Sequence, residues 1–334
     1  MQTKKKYGQF YTTNVEYILQ RLSYPTDAIL IEPFVGNGDI LNWIKNKNVE
    51  IYDVDPKIPN CAKRDTLLNP PIYKDKFVIT NPPYLNKNKS KDKDVFEKYH
   101  IDDLYKASML SFINGDVVGG ILIIPLNFIS QHSSKLRKIF FEKYHITKLN
   151  IFEEDVFEDT SCTICAFEFY KGKLSKNTID TVIFPRYKKI SLELSEDENW
   201  TIGNSFFPKI KSSYNIRRLL VGDDVPDNNL FLYTIDGGNH LNRIRLVSKS
   251  DHLFGVNTDR AFCSFKSDKK IENEEYVILE FNKRLENMRE KTNSLFLANY
   301  RNSTKSYARK RIGFNQAYSL IEQILLEEKN NNFW

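Results

Sequence analysis

The tetrapeptide Asn81-Pro82-Pro83-Tyr84 carries the clearest chemistry in the sequence. It follows the apolar run 77–80, which predicts a buried strand. Two consecutive prolines cannot continue a strand ladder, and they stiffen the turn. An asparagine oxygen and a backbone carbonyl are both acceptors, so together they can hold the two hydrogens of a flat amino group while Tyr84 stacks on its ring. The pattern predicts a site for a nucleobase or a carboxamide at the edge of an α/β sheet. A plain proline-rich loop is the alternative.

A glycine-containing turn comes earlier in the chain and would help to position this site. Residues 28–31 predict a strand, and the sequence Glu32-Pro33-Phe34-Val35-Gly36-Asn37-Gly38-Asp39 leads from it into a helix. Glycines at this place let a ligand approach the backbone closely. The third glycine of the dinucleotide fingerprint is missing, which does not favour a dinucleotide. Glu32 would repel a phosphate but suits a cationic amino group, although a plain strand-to-helix turn explains the glycines equally well.

Two aspartates and the N-terminal segment complete the set of candidate ligand contacts. Asp53 ends the second predicted strand about 20 residues past the glycine turn, where an acid accepts ribose hydroxyls in Rossmann-like folds. Asp65 is placed to bond an exocyclic amine of a bound adenine, or simply to cap a helix. The sequence 13–16 predicts a capping box, so residues 11–13 are expected at a helix N-terminus that can receive a carboxylate.

Composition limits the class of protein. The 334 residues suffice for two domains, and the net charge of +6 permits nucleic-acid binding without proving it. Four cysteines form no disulfide framework, which predicts a reducing compartment. Cys162 and Cys165 lack a second pair, so no metal site is expected. We find no signal peptide and no membrane-spanning stretch, and we expect a cytoplasmic protein, of a bacterium or of a host cell if the chain is viral.

Taken in chain order, these motifs resemble those of S-adenosylmethionine-dependent amino methyltransferases. The closest likeness is to DNA adenine-N6 methyltransferases of type II restriction–modification systems, with the gamma-type order in which a Tyr-Thr segment precedes the cofactor turn. The resemblance covers about residues 7–170, and Thr13 stands where that family commonly has proline. It implies an α/β fold with a Rossmann-like methyltransferase sheet in residues 1–174. Residues 175–334 would form an α+β target-recognition domain.

The resemblance also implies roles for individual residues. Phe157 lies in the acidic connection 153–161 and would stack on a flipped adenine opposite Tyr84, unless it folds onto the core. The expected catalytic residues are Asn81, Pro82, Pro83, Tyr84 and Phe157. The expected contacts of S-adenosyl-L-methionine are Tyr11, Thr12, Thr13, Glu32, Pro33, Gly36, Gly38, Asp53, Val54 and Asp65.

Two basic segments predict contacts with double-stranded DNA. One is the lysine-rich loop directly after the catalytic turn, and the other spans residues 283–311, with nine Lys/Arg against two glutamates. A solvated loop and a solvated basic helix are the alternatives. The expected nucleic-acid-binding residues are Lys87, Lys89, Arg301, Lys305, Arg309, Lys310 and Arg311.

The function implied is methyl transfer to N6 of a flipped-out adenine in a short DNA sequence, which protects that sequence from a cognate restriction endonuclease. A monomer or weak dimer is expected. Glutamine-N5 protein methyltransferases share the tetrapeptide, but they usually carry a helical domain before the cofactor turn. RNA adenine methylation stays open, as does a non-catalytic nucleic-acid-binding protein on the same fold. Cytosine-N4 methylation needs nearly the same acceptors, and only the motif order and the asparagine at position 81 favour adenine.

Overall fold

The computed structural model describes residues 12–45, 48–130, 134–158, 160–210, 214–224, 228–236, 243–248, 258–303 and 307–331. The chain divides into two compact units. The first contains Met1–Phe128 and Ser134–Glu196, and the second contains Ile129–Ser133 and Asp197–Trp334. No helix in the described ranges is long and apolar enough to cross a membrane.

The first unit is built on a nine-stranded sheet with the strand order β3-β2-β1-β4-β5-β7-β6-β8-β9. Strands β1 to β5 pair in parallel, and β7 runs antiparallel between β5 and β6. The strands are β1 Leu30–Glu32, β2 Val49–Asp53, β3 Ala62–Lys63, β4 Phe77–Thr80, β5 Gly119–Pro125, β6 Tyr144–Phe152, β7 Ile164–Lys171, β8 Lys176–Phe184 and β9 Lys188–Ser195.

Short helices precede β1 and connect the later strands. They are α1 Val15–Leu19, α2 Asp39–Trp43, α3 Asp94–Tyr99, α4 Leu104–Asn114, α5 Asn127–Ser130 and α6 Lys135–Phe141, with a 3-10 turn at Lys87–Lys89. Every residue of β4 and β5 is buried, as the continuous apolar runs in the sequence predict for central parallel strands. Phe77, Ile79 and Ile121 belong to the core that these strands share with α1. The expected α/β class is confirmed.

The sheet reverses its direction of growth between β1 and β4. From β1 the chain adds β2 and β3 on one side, and it then returns to add β4 and β5 on the other. In open α/β sheets this topological switch point leaves a crevice outside the carboxyl ends of the strands. Glu32 ends β1 and Asn81 follows β4, so both residues lie at the carboxyl ends of the two strands that flank the switch point.

The first unit extends beyond the boundary predicted between residues 174 and 175. Strand β8 pairs in parallel with β6, with Lys148 opposite Asp180, and β9 pairs with β8. The polar run 171–177 is therefore mainly the connection between β7 and β8, and it is not an interdomain linker. Because the β8–β9 hairpin completes the sheet, the boundary in the structure follows Glu196.

The second unit combines small sheets with two long helices, which agrees with the expected α+β class. One sheet has the order β10-β13-β11-β12, and β14 and β15 form a separate two-stranded ribbon. A buried ion pair between Arg289 and Asp236, with an N–O distance of 2.7 Å, stabilises the interior of this unit. The elements are β10 Arg217–Arg218, β11 Leu230–Tyr233, β12 Arg245–Ser248, β13 Phe262–Lys266, α7 Glu274–Thr292, β14 Ala298–Ser303, β15 Tyr307–Arg311 and α8 Phe314–Asn331.

Candidate active site

A cavity of about 730 Å³ opens at the switch point of the first unit. The glycine turn after β1, the end of β2 and the turn after β4 all contribute to its walls. Its volume lies within the range of about 300–1,000 Å³ that is typical of small-molecule sites. The cavity is therefore the candidate active site.

The glycine turn beside the cavity has backbone dihedral angles that residues other than glycine rarely adopt. Gly36 and Gly38 have φ angles of 56° and 85°, in the left-handed region that favours glycine. The Gly36 N–H donates to Oδ2 of Asp53 at 2.8 Å, which ties the turn to the end of β2. Gly36 lines the cavity, and Gly38 is the N-cap residue of α2.

Asp53 lines the cavity beside the glycine turn, and backbone hydrogen bonds hold its carboxylate in one orientation. It is buried, and its Oδ1 accepts a hydrogen bond from the N–H of Asp55 at 2.8 Å. Each carboxylate oxygen thus has one backbone donor, which sets the orientation of the group. Val54 follows it on the cavity wall. The structure therefore brings Gly36, Asp53 and Val54, three of the predicted cofactor contacts, to the same cavity.

Glu32 lies behind the glycine turn and is not one of the residues that line the cavity. Its Oε1 accepts hydrogen bonds from the Phe34 N–H at 3.0 Å and from the Thr80 hydroxyl, so it links β1 to β4. Its Oε2 has no hydrogen-bond partner among the described residues. Burial raises the pKa of this carboxyl to about 8. In this structure Glu32 braces the backbone at the switch point.

Asp65 is held by its own turn. Its Oδ1 accepts from the N–H groups of Leu67 and Leu68, each at 3.0 Å. The Thr66 hydroxyl donates to the carbonyl oxygen of Pro33 at 3.1 Å, which joins this turn to the exit of β1. Asp65, Thr66 and Leu67 line the cavity, whereas Pro33 contributes through that carbonyl bond. An apolar wall beside a fixed carboxylate suits a heterocycle that carries an amino group.

The turn after β4 presents the asparagine amide in a defined orientation. Asn81 is 9% exposed, and its Nδ2 donates to Oγ1 of Thr12 at 3.1 Å. The Tyr84 hydroxyl contacts Oδ1 of Asn81 and lies 2.5 Å from the carbonyl oxygen of Ile123. A hydroxyl has one proton, so it donates to one of these two acceptors at a time. Asn81 Oδ1 therefore faces the Tyr84 hydroxyl; Asn81 and Pro83 line the cavity, whereas Tyr84 does not.

The two predicted stacking aromatics contact each other directly. The ring centroids of Tyr84 and Phe157 are 6.5 Å apart, and the ring planes are inclined by 52°. Phe157 is only 4% exposed and belongs to the hydrophobic core. The structure thus brings the pair together with Phe157 folded onto the core, the alternative that the sequence left open. No parallel slot for a planar base lies between these two rings.

Of the N-terminal residues that the structure describes, Thr12 lines the cavity. Thr12 is buried and lines the wall beside Asn81. Thr13 is exposed, and Asn14 is the N-cap of α1 with no side-chain cap bond, so the predicted capping box is wrong. The motif indicated Thr13 as the N-cap, whereas the N-cap in the structure is Asn14, so the helix begins one residue later. The predicted contact Tyr11 lies outside the described residues.

A segment that the sequence assigned to DNA forms another wall of the cavity. Lys89, Lys91, Val95 and Phe96 line it together with residues of the glycine turn. The adjacent apolar pair 95–96 after a run of lysines was the available signal for this wall. Lys87 is half-buried in the 3-10 turn that begins the segment. Phe34, Val35, Asp39, Ile40 and Arg64 also line the cavity without having been singled out.

The predicted DNA contacts of the second unit divide into two sets. Lys310 is 3% exposed, and its Nζ donates to Oδ1 of Asn299 at 2.7 Å, so it points into the unit and not towards a ligand. Arg301 is exposed and lies directly opposite Arg309 on the β14–β15 ribbon. Arg311, two residues after Arg309, shares its face of the strand. Lys305 lies outside the described residues.

Three comparisons with known proteins bear on this geometry. Residues 38–157 match the family model of the Eco57I restriction-modification methylase. This segment contains the end of the glycine turn, Asp53, Asp65, the turn 81–84 and Phe157. The match confirms the resemblance to restriction–modification methylases that the motifs predicted. Comparison with curated protein sequences finds no match.

Several solved structures are similar to parts of the chain. A modification subunit of a putative type I restriction enzyme from Vibrio vulnificus YJ016 is 12% identical, with a TM-score of 0.42, over 55% of this chain and 49% of that one. A putative class I S-adenosylmethionine-dependent methyltransferase from Listeria monocytogenes is 12% identical, with a TM-score of 0.37, over 50% of this chain and 61% of that one. The M protein of the type I restriction enzyme EcoKI is 11% identical, with a TM-score of 0.36, over 96% of this chain and 71% of that one. The chain thus spans less than two thirds of the length of the first two of these proteins.

Proposed function

We propose that this chain is an S-adenosylmethionine-dependent DNA methyltransferase of a restriction–modification system, which methylates N6 of an adenine in double-stranded DNA. The observation that carries the proposal is the orientation of Asn81. Thr12 accepts the hydrogen bond of its Nδ2, which leaves Oδ1 as the acceptor of a hydroxyl donor, and both Thr12 and Asn81 line a cofactor-sized cavity. The family match over residues 38–157 supports the restriction–modification context.

The side chains that line the cavity suit the chemical groups of the cofactor. Asp53, held by two backbone donors, suits the ribose hydroxyls, and Asp65 suits the adenine amine. Val54 and Leu67 supply apolar surface for the adenine ring. When bound, S-adenosyl-L-methionine supplies an electrophilic methyl group on a sulfonium. The residues of the chain position the acceptor amine and exclude water.

The chemistry of the acceptor explains why an amide oxygen is needed. The N6 lone pair of adenine is delocalised into its ring, so the free amine is a poor nucleophile. Asn81 Oδ1 and the Pro82 carbonyl accept the two N6 hydrogens and localise the lone pair on nitrogen. After transfer, the nitrogen loses one of its hydrogens as a proton to solvent. In this account no strong base is required, and the acceptors raise kcat.

Tyr84 must change its contact for this to occur. Its hydroxyl now bonds the same Asn81 oxygen that the substrate amine requires. We propose that an entering adenine displaces the hydroxyl, and that the Tyr84 ring then stacks on the base. The aromatic partner on the opposite face would be Phe157, after it separates from Tyr84. A base must leave the duplex to reach such a site.

The ribbon of the second unit would contact the DNA backbone. Arg301 and Arg309 lie directly opposite each other on this ribbon, and Arg309 Nε donates to the Asp236 carbonyl at 2.9 Å. Two neighbouring guanidinium groups suit contact with phosphate groups. Target recognition by this unit, a partner endonuclease and a monomeric or weakly dimeric state stay predictions. The localisation expected for such a protein is the cytoplasm.

The experiment that tests the proposal compares substrates and one pair of variants. The protein is incubated with labelled S-adenosyl-L-methionine and with duplex DNA, RNA of the same sequence or a protein mixture. We expect label in duplex DNA alone. Asn81→Ala should lose about 10²- to 10³-fold in kcat, as expected for one transition-state acceptor. The exposed Asn114→Ala serves as control and should retain activity. Equal rates for Asn81→Ala and wild type would refute the proposed mechanism.

A further inference from the structure

The segment between the catalytic turn and α4 is tied at both ends. We call residues 86–103 the tied loop. The Leu104 N–H donates to the Leu85 carbonyl at 3.2 Å, and the Lys87 N–H donates to the Asp102 carbonyl at 2.7 Å. The Leu85 N–H also donates to Oδ1 of Asp103 at 3.2 Å. The tied loop therefore leaves and rejoins the sheet edge at one place, immediately beside the catalytic turn.

The Lys93 ammonium group and the Ser90 hydroxyl stabilise the conformation of the tied loop. Nζ of Lys93 donates to the carbonyl oxygens of Lys87 and Ser90, and the Ser90 hydroxyl donates to the Asp92 carbonyl at 2.7 Å. The loop places the buried Phe96 against the cavity. These bonds give the lysine-rich sequence a structural use that is separate from contact with phosphate groups.

The end of helix α3, within the tied loop, binds the turn that contains Asp65. Nζ of Lys98 donates to the carbonyl oxygens of Leu67 at 2.9 Å and Leu68 at 2.8 Å. The Tyr99 hydroxyl donates to the same Leu67 carbonyl at 2.9 Å. Three donor contacts from two adjacent residues thus converge on two consecutive carbonyls.

The Leu67 carbonyl and the Leu68 N–H belong to one peptide group. That N–H donates to Oδ1 of Asp65 at 3.0 Å. A charged donor on the carbonyl polarises the peptide and strengthens the hydrogen bond that its N–H makes, because hydrogen bonds in series polarise one another. Lys98 and Tyr99 are therefore connected to the Asp65 carboxylate through a continuous chain of hydrogen bonds.

We propose that Lys98 and Tyr99 are positioning residues that fix Asp65 for recognition of the 6-amino group of the cofactor's adenine. The inference rests on the proposed function, in which Asp65 holds that amine. It adds that the loop leaving the catalytic turn sets the cofactor's base specificity. Loss of either donor loosens the Asp65 turn and lowers the preference for an amino group over an oxo group.

The test measures selectivity between two ligands. S-adenosyl-L-homocysteine carries the 6-amino group, and S-inosyl-L-homocysteine carries an oxo group in its place. Titration calorimetry gives the ratio of their dissociation constants for each variant of the full chain. We expect wild type to prefer the adenosyl ligand and Lys98→Met to lose about 10-fold of that preference, equivalent to ~1.4 kcal/mol. Tyr99→Phe, which removes one hydroxyl, should lose about threefold.

Control variants distinguish a role in positioning Asp65 from a purely structural role of the same contacts. Lys98→Arg keeps a cationic donor to both carbonyls and should retain the wild-type ratio, and the exposed Lys74→Met should also retain it. If Lys98→Met or Tyr99→Phe weakens both ligands by the same factor, the contact is only structural and the inference is wrong. A wild-type protein that binds neither ligand would overturn the proposed function and this inference with it. A wild type that binds both ligands equally would refute the role of Asp65 and this inference, with cofactor binding intact.

Discussion

The Tyr84 hydroxyl provides a prediction whose sign is set by the structure. In the free protein it bonds the Asn81 oxygen that the proposed mechanism assigns to the substrate amine. The substitution Tyr84→Phe keeps the ring for stacking and removes only this competing donor. Two buried acceptors, Asn81 Oδ1 and the Ile123 carbonyl, then lose that donor in the free enzyme. We expect the variant to be less stable when free and to bind substrate DNA more tightly.

The magnitude follows from one hydrogen bond. A typical net contribution of about 0.5–1.5 kcal/mol is lost from the free state alone, because in the proposed complex the Tyr84 ring stacks on the base, its hydroxyl leaves both acceptors, and the adenine amine bonds Asn81 Oδ1. The dissociation constant for target DNA should therefore fall by about 2- to 13-fold in Tyr84→Phe. Its kcat should stay within about threefold of wild type, since the hydroxyl has no role in the transfer itself.

The assay combines binding, turnover and unfolding. Fluorescence anisotropy with duplex DNA in the presence of S-adenosyl-L-homocysteine gives the dissociation constant, and single-turnover methylation gives the chemical rate. Tyr84→Ala is the matched variant, because it removes the ring as well as the hydroxyl and should weaken DNA binding. Weaker DNA binding by Tyr84→Phe, accompanied by a large loss of kcat, would refute this reasoning and assign the hydroxyl a direct part in the reaction.

Three further predictions concern the switch point and the ribbon. Because burial raises the pKa of Glu32 from its ordinary value of 4.5 to about 8, the fold binds this proton more tightly than the unfolded chain does. The contribution of Glu32 to stability should therefore fall as pH rises from about 4.5 to 8, and Glu32→Gln should remove that part of the pH dependence in denaturant titrations. Arg301→Gln should reduce the slope of log affinity against log salt by about 1 and weaken binding to all sequences alike, whereas an unchanged slope would exclude a phosphate contact. Lys310→Met should lower the free energy of unfolding, because Lys310 bonds the buried Asn299, and it should leave the salt slope unchanged.

Residues at the sheet edge were predictable because their positions follow from strand ends. The apolar run 77–80 and the turn 81–84 are local signals, and parallel strands place their carboxyl ends together. Asp53 and Gly36 were assigned separately, and their hydrogen bond follows from β1 and β2 being neighbours. The family match covers residues 38–157, which contain these positions except Gly36.

Features that depend on long-range packing were not predictable in the same way. Strand β8 joins the first sheet because β6 offers it a free edge, and the polar run before it gave the opposite indication. Lys310 and the exposed Arg301 look alike in sequence, but the pairing register of the ribbon turns Lys310 inward. The bonds of Lys98 to Leu67 and Leu68 cross about 30 residues of chain, which no local pattern encodes.

The central claim is most directly tested by identifying the methylated base. Unmethylated genomic DNA is incubated with the wild-type protein and labelled S-adenosyl-L-methionine, and the product is digested to nucleosides and also sequenced. The account predicts N6-methyladenine at one short sequence motif and none with Asn81→Ala. Label in N4-methylcytosine would contradict the assignment of the base. Label found only in RNA or protein controls would contradict the assignment of DNA as the substrate.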